Sequence, residues 1–230
     1  MRAGRGGEAW EDVSRDFRPT ALPRLATANR WFGGARVLLR PLNGLVDNTW
    51  DQPIRILDVG TGGGDIPRAL VTWARRRGLW LQIVGVEFNP ETAAHAASAS
   101  RAFPEIRIVR GDAFHLPFAP KAFHIITCSM VLHYFNATQA ATLLRAFAAL
   151  EPRAILVTDL RRHWFPPLAM RALFAVSRSP LFGPDARHTV SLGFTPSEVA
   201  GLARGAGLAR CRIHRTFPFR LCLLAFPGQA

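Results

Sequence analysis

"ILDVGTGGGDIPRAL", residues 56–70, runs an apolar stretch into four glycines within positions 60–64 and then starts a helical pattern. Glycine costs roughly 0.5–1 kcal/mol against alanine inside regular structure. A cluster at the end of an apolar run therefore marks a sharp turn, or a group that must lie against bare backbone. Ile66, Ala69, Leu70, Trp73 and Ala74 follow at i, i+3, i+4, i+7 and i+8, the spacing of one helix face, and Gly78 stops the helix. Strand, glycine loop and helix N-terminus together aim backbone N–H groups at the carboxyl end of a strand. In α/β sheets that is where nucleotide-like ligands bind.

The same alternation continues outward. Residues 54–59 and 81–88 read as buried strands, and Asn89-Pro90 supplies an N-cap and an N1 proline for a helix that Pro104 ends. Strands follow at 106–109 and 123–128. Asn136 then caps a helix with Ala140, Leu143, Leu144 and Phe147 on one face, and 154–158 is the fifth strand. Thr195-Pro196-Ser197-Glu198 is a capping box opening a helix with Val199, Leu202, Ala203 and Ala206 inward and Gly207 as its stop. Runs 210–215 and 220–226 are joined by four residues. A parallel crossover needs a dozen or more, so the two pair antiparallel. The expected fold is α/β: a Rossmann-like, doubly wound, mostly parallel seven-stranded sheet with a reversed terminal strand. Residues 1–50 form an expected N-terminal helical cap of two short helices broken at Gly33-Gly34. Residues 51–230 form the main domain, with a cap-like insertion at 161–194, too long for a plain loop. Both added segments are rich in Trp, Phe, Leu and Arg, which suits hydrophobic packing and equally the walls of a lipophilic acceptor site.

The chain has 230 residues, 49% hydrophobic and 20% charged, the composition of a globular protein. Residues 1–20 carry no apolar h-region and no run approaches the ~18 residues of a membrane span. Three cysteines, Cys128, Cys211 and Cys222, lack metal-ligand spacing. They predict free thiols, a cytoplasmic protein and no metal site. The net charge of +13 invites a nucleic-acid partner, but Lys121 is the single lysine and the arginines are scattered, with Arg75-Arg76-Arg77 the longest run. A solvated basic surface fits that pattern better.

The motifs narrow the ligand. A dinucleotide G-x-G-x-x-G starting at Gly60 would place its third glycine at Asp65, and no Gly-Lys-Ser/Thr follows for a P-loop. Instead Asp58 precedes alternating Gly60, Gly62 and Gly64. Next comes "IVGVEFNP", where Glu87 ends the second strand and can take both hydroxyls of a ribose. In "GDAFHLPF", Asp112 suits an adenine amino group, with the Ala113 backbone beside it. "FHIITCSMVLHYF" opens from strand four into a loop beneath a reacting centre.

In this order the motifs resemble the class I S-adenosylmethionine-dependent methyltransferases, over about residues 54–226, and within them the small-molecule group that includes ubiquinone and menaquinone methyltransferases. The resemblance implies S-adenosylmethionine as cofactor. It implies that Asp58, Gly60, Thr61 and Gly62 contact the methionine part, Glu87 and the following Phe88 the ribose, and Asp112 and Ala113 the adenine. The backbone around Ser129 would lie near the transferred methyl group.

The acceptor side is more open. A hydroxyl acceptor must lose a proton, which suits a histidine. His133, beside the only tyrosine, Tyr134, is the first candidate, and His188 in "DARHTVSLGF" the second. Asp159, ending strand five, can orient either or face solvent. Cys128-Ser129-Met130-Val131 stands where an exocyclic-amine methylase would carry Asn/Asp-Pro-Pro-Tyr/Phe, and "SMVLHYF" departs from the Arg-Asn-containing stretch expected of quinone carbon methylases. The leading expectation is methylation of a hydroxyl on an aromatic or polyketide-like secondary metabolite. Carbon methylation of a quinone precursor, RNA methylation and a non-catalytic cofactor-binding role are the alternatives.

Overall fold

The structure, a computed structural model, describes residues 34–46, 50, 52–162, 193–216 and 220–228. Seven strands form one sheet: β1 (Ile54–Val59), β2 (Leu81–Glu87), β3 (Ile106–Arg110), β4 (Ile125–Ser129), β5 (Ala154–Leu160), β6 (Cys211–Thr216) and β7 (Arg220–Ala225), in the spatial order β3-β2-β1-β4-β5-β7-β6. The first five pair in parallel, and β7 is antiparallel to both β5 and β6. The reversed strand expected from the short 216–220 connection is therefore present. The winding direction changes between β1 and β4. At such a switch point the carboxyl ends of the strands leave a crevice.

Five helices appear among the described residues: α1 (Gly34–Leu42), α2 (Asp65–Arg75), α3 (Pro90–Ala99), α4 (Ala137–Ala149) and α5 (Pro196–Gly205). Helix α1 starts at Gly34, while the helix expected before it and residues 163–192 of the insertion expected at 161–194 lie outside the described residues. Strand pleating sorts the core into two layers. Leu57, Ile126, Val157 and Leu223 face α4 and α5, with Leu143, Leu144 and Phe147 packed on them. Ile54, Ile56, Ile125, Leu156 and Cys222 face α1 and α2, meeting Leu38, Leu42, Leu70 and Trp73. Each such fully buried side chain contributes on the order of 1.5–3 kcal/mol.

The caps are where the sequence puts them. Asn89 Oδ1 accepts from the Thr92 N–H at 2.9 Å, and Asn136/Gln139 and Thr195/Glu198 are both reciprocal capping boxes. One boundary differs. Helix α3 ends at Ala99, not at Pro104, because Ser100 closes it and a Phe103 N–H to Ser100 O turn of 2.9 Å redirects the chain into β3. Proline only forbids a helix from passing; an earlier turn can end it first.

Candidate active site

Two groups of residues meet at the carboxyl ends of β1, β2, β4 and β5. The first is the glycine loop. Gly60, Gly62 and Gly64 all have positive φ, +71°, +55° and +73°, which side chains resist. The three do different work. A Cβ on Gly62 would meet nothing within 4 Å, so this face of the loop is open. One on Gly60 would come within 2.5 Å of Val131 Cγ2, so its bare face receives the loop after β4. One on Gly64 would meet the Arg68 guanidinium at 3.0 Å and Ser100 Oγ at 3.2 Å, so that glycine serves helix packing.

Glu87, at the end of β2, braces the loop from the side: Oε2 accepts from the Gly62 N–H at 2.9 Å and Oε1 from the Asn89 N–H at 3.0 Å. Burial pushes its carboxyl up from the ordinary value, and the amides of Asn89, Gly62 and Phe88 oppose the shift. Asp58 is buried at 2% exposure and accepts the Thr127 hydroxyl at 2.6 Å. Burial pushes its carboxyl from 3.8 to about 6. The Thr127 and Thr61 hydroxyls pull it down, while the charges of Asp65 and Glu87 push it up. Asp112 closes its own turn, Oδ1 accepting from the Phe114 N–H at 2.9 Å, while Oδ2 meets the exposed ring of His115 at 2.6 Å. The Ala113 beside it is buried.

The second group is the 3₁₀ turn Leu132–Tyr134 after β4. Met130 enters it with φ +61°, its N–H donating to Thr158 O at 2.8 Å, and Ser129 Oγ accepts from the Thr158 hydroxyl at 3.1 Å. His133 is buried. Its Nδ1 lies 2.7 Å from Asp159 Oδ1 and its backbone N–H donates to Asp159 Oδ2 at 3.0 Å. The Leu160 N–H also donates to Oδ1, at 2.6 Å. A carboxylate opposite Nδ1 suits a proton on that nitrogen, which turns Nε2 away from Asp159. The Tyr134 ring lies over the imidazole at 4.2 Å between centroids and is 38% exposed. Cys128 is no competing nucleophile. It is fully buried, and burial plus the charges of Asp58 and Asp159 push its thiol well above the ordinary range.

Residues 57–158 match the model of a methyltransferase domain. A demethylmenaquinone methyltransferase of Roseiflexus is 32% identical over 176 residues, covering 66% of this chain and 67% of that one. The chain belongs to the S-adenosylmethionine-dependent methyltransferase family.

A 2-phytyl-1,4-naphtoquinone methyltransferase of Thermosynechococcus vestitus is 41% identical, but over 33% of this chain and only 32% of its own length. Solved methyltransferase structures share the fold. That of Aquifex aeolicus matches 91% of this chain and 98% of its own, at TM-score 0.64 and 14% identity. Human N-acetylserotonin methyltransferase matches 97% and 60%, at 0.66 and 18%. Asp58, Thr61, Gly62, Glu87, Ser129 and His133 all gather at one end of the sheet. His188 lies outside the described residues.

Three positions escaped the motif reading. Arg68 donates to Gly63 O at 2.8 Å and so anchors the back of the glycine loop from the first turns of α2. Gly85 in β2 leaves room for Thr61, since a Cβ there would come within 2.9 Å of Thr61 Oγ1 and 2.8 Å of Ile108 Cδ1. Val131 fills the space beside Gly60. Arg68 falls on the polar side of its helix, and the Gly85 signal, a glycine inside a strand, marks close approach without naming the partner.

Proposed function

We propose that this methyltransferase transfers a methyl group from S-adenosylmethionine to the hydroxyl oxygen of a small aromatic acceptor. The buried His133–Asp159 pair carries the proposal. Asp159 holds Nδ1 protonated and the ring fixed, which leaves Nε2 as a neutral base suited to a phenolic proton. The likeness to a 2-phytyl-1,4-naphtoquinone methyltransferase and a demethylmenaquinone methyltransferase supports a ring-bearing lipophilic acceptor.

The residues fit the cofactor. Gly62 offers an open backbone face, Glu87 an acid beside it, and Asp58 a buried carboxylate that a nearby cation would relieve. Asp58, Thr61 and the glycine-loop backbone would hold the methionine part. Glu87, beside Phe88, would hold the ribose hydroxyls, and Asp112 Oδ2, braced only by an exposed histidine, the adenine amino group. When bound, S-adenosylmethionine would supply an electrophilic methyl on a sulfonium sulfur, with the neutral thioether as leaving group. His133 Nε2 would take the hydroxyl proton of the acceptor, and Asp159 would stabilise the resulting imidazolium until the proton passes to solvent. Positioning of the two reactants would supply the rest of the rate.

Incubation with methyl-labelled S-adenosylmethionine and a panel of phenols, quinols and RNA transcripts tests the reading. Label in an aryl methyl ether is expected. Label confined to ring carbon or to RNA overturns it.

A further inference from the structure

Beyond Asp159, β5 runs into Arg161, which bridges to Phe194, and Arg162, whose N–H donates to Phe194 O at 3.1 Å. Arg162 Nη2 pairs with Glu198 Oε1, and the other Glu198 oxygen is taken by the Thr195 N–H at 2.7 Å and hydroxyl at 3.0 Å. That leaves Arg162 Nη1 and Arg161 Nε buried with no hydrogen-bond partner among the described residues. A third guanidinium, Arg220, is 4% exposed and pairs across the sheet with Leu160, within the field of Asp159. Among the described residues the nearby acids are already committed, Asp159 to His133 and Glu198 to Arg162 and the cap. Buried N–H groups are almost always satisfied in folded proteins, by protein, water or ligand. A guanidinium with directed N–H groups to spare fits a carboxylate better than any neutral partner.

We infer that the acceptor carries a carboxylate close to the hydroxyl that is methylated, and that Arg161, with Arg162 beside it, receives that carboxylate. The inference rests on the proposed acceptor site at the carboxyl end of β5. It narrows the acceptor class from lipophilic phenols to aromatic hydroxy acids. A carboxylate held by arginine next to the base fixes the ring's orientation, which decides which hydroxyl meets His133.

Two probes of one ring system test this, 1-hydroxy-2-naphthoate and 1-naphthol, each titrated calorimetrically into the full chain saturated with S-adenosylhomocysteine. Wild type is expected to bind the naphthoate at least tenfold more tightly. Arg161→Gln should lose at least tenfold for the naphthoate while holding 1-naphthol within about twofold, and Arg161→Lys should recover part of the loss. Equal affinity of wild type for the two probes overturns the inference, as does failure of either to bind. An Arg161→Gln loss that is the same for both probes, or that falls on S-adenosylhomocysteine instead, also overturns it. Should Arg161→Gln not fold, the wild-type comparison and Arg161→Lys decide. Label transfer in the same mixtures separates this inference from the reading beneath it. Arginine-dependent naphthoate binding without methylation at oxygen leaves the carboxylate site standing and removes the hydroxyl proposal.

Discussion

Asp58 is a carboxylate that the fold keeps at a cost, and Asp58→Asn should expose the trade. Its side chain is 2% exposed and its carboxyl is pushed from 3.8 to about 6, chiefly by burial. The native state therefore holds the proton more tightly than the unfolded chain. Stability contributed by this group is complete below about pH 4, falls as pH rises through the window from 4 to 6, and is absent above it. A shift of about two units is worth about 3 kcal/mol. Asparagine carries no charge and keeps an oxygen for the Thr127 hydroxyl. At pH 7.5 the ligand-free variant should be more stable than wild type by up to about 3 kcal/mol, or roughly 6–12 °C in Tm for a domain of this size. Near pH 4 the two should melt together. The proposed cofactor contact predicts the opposite for binding: loss of a charge-assisted bond of about 1.5–3 kcal/mol should weaken S-adenosylhomocysteine roughly 10–100-fold. The assay is a set of thermal melts at half-unit steps from pH 4 to 8, with and without S-adenosylhomocysteine. Every other titrating group is common to both proteins, so the difference isolates Asp58. A variant less stable than wild type at pH 7.5, or a gap that does not change with pH, would refute the reasoning.

Glu87→Ala should weaken S-adenosylhomocysteine far more than it weakens the fold, since the hydrogen bonds of a carboxylate to a ribose are worth about 1.5–3 kcal/mol each. A change of less than about threefold by calorimetry removes Glu87 as the ribose ligand. His133→Ala should lower turnover on a phenolic acceptor at pH 7 by at least about tenfold at nearly unchanged cofactor affinity, with part recovered at higher pH as solvent ionises the phenol. A pH–rate profile of wild type and variant checks this. Wild-type turnover in the variant across the range means the ring only packs.

The glycine loop was legible because its chemistry is local. Strand, glycines and helix lie within fifteen residues, and the caps at Asn89, Asn136 and Thr195 are likewise short-range. The antiparallel end followed from chain length alone, because four residues cannot carry a crossover. What stayed hidden depends on which face of a strand a residue occupies and on what lies opposite. Asp159 could be placed at a strand end and offered to either histidine or to solvent, but the choice of His133, 26 residues away, requires β4 and β5 to be neighbours with those ends level. The 3₁₀ turn holding His133 is three residues long and has no period to read. At Gly60 the structure adds a packing reason for bare backbone, since a Cβ there would come within 2.5 Å of Val131 Cγ2 of the same chain.

Register then explains why the polar groups collect where they do. Asp58 and Thr127 are direct partners across the β1–β4 ladder, and Ser129 and Thr158 across β4–β5. Both pairs are joined through their side chains, at 2.6 and 3.1 Å. A slip of one residue in β4 would turn Thr127 to the other face, leave Asp58 buried without its hydroxyl, and carry Ile125 and Cys128 into the wrong core layers. The apolar layers thus lock the register, and the register sets the polar pairs. Val131 adds the remaining constraint. It leads from Met130 into the turn that carries His133, while its methyl group occupies the face of Gly60. The loop proposed to hold the donor and the turn proposed to hold the base are therefore in van der Waals contact. A methyl transfer needs that coupling, because donor carbon and acceptor oxygen must meet in line to within a fraction of an ångström.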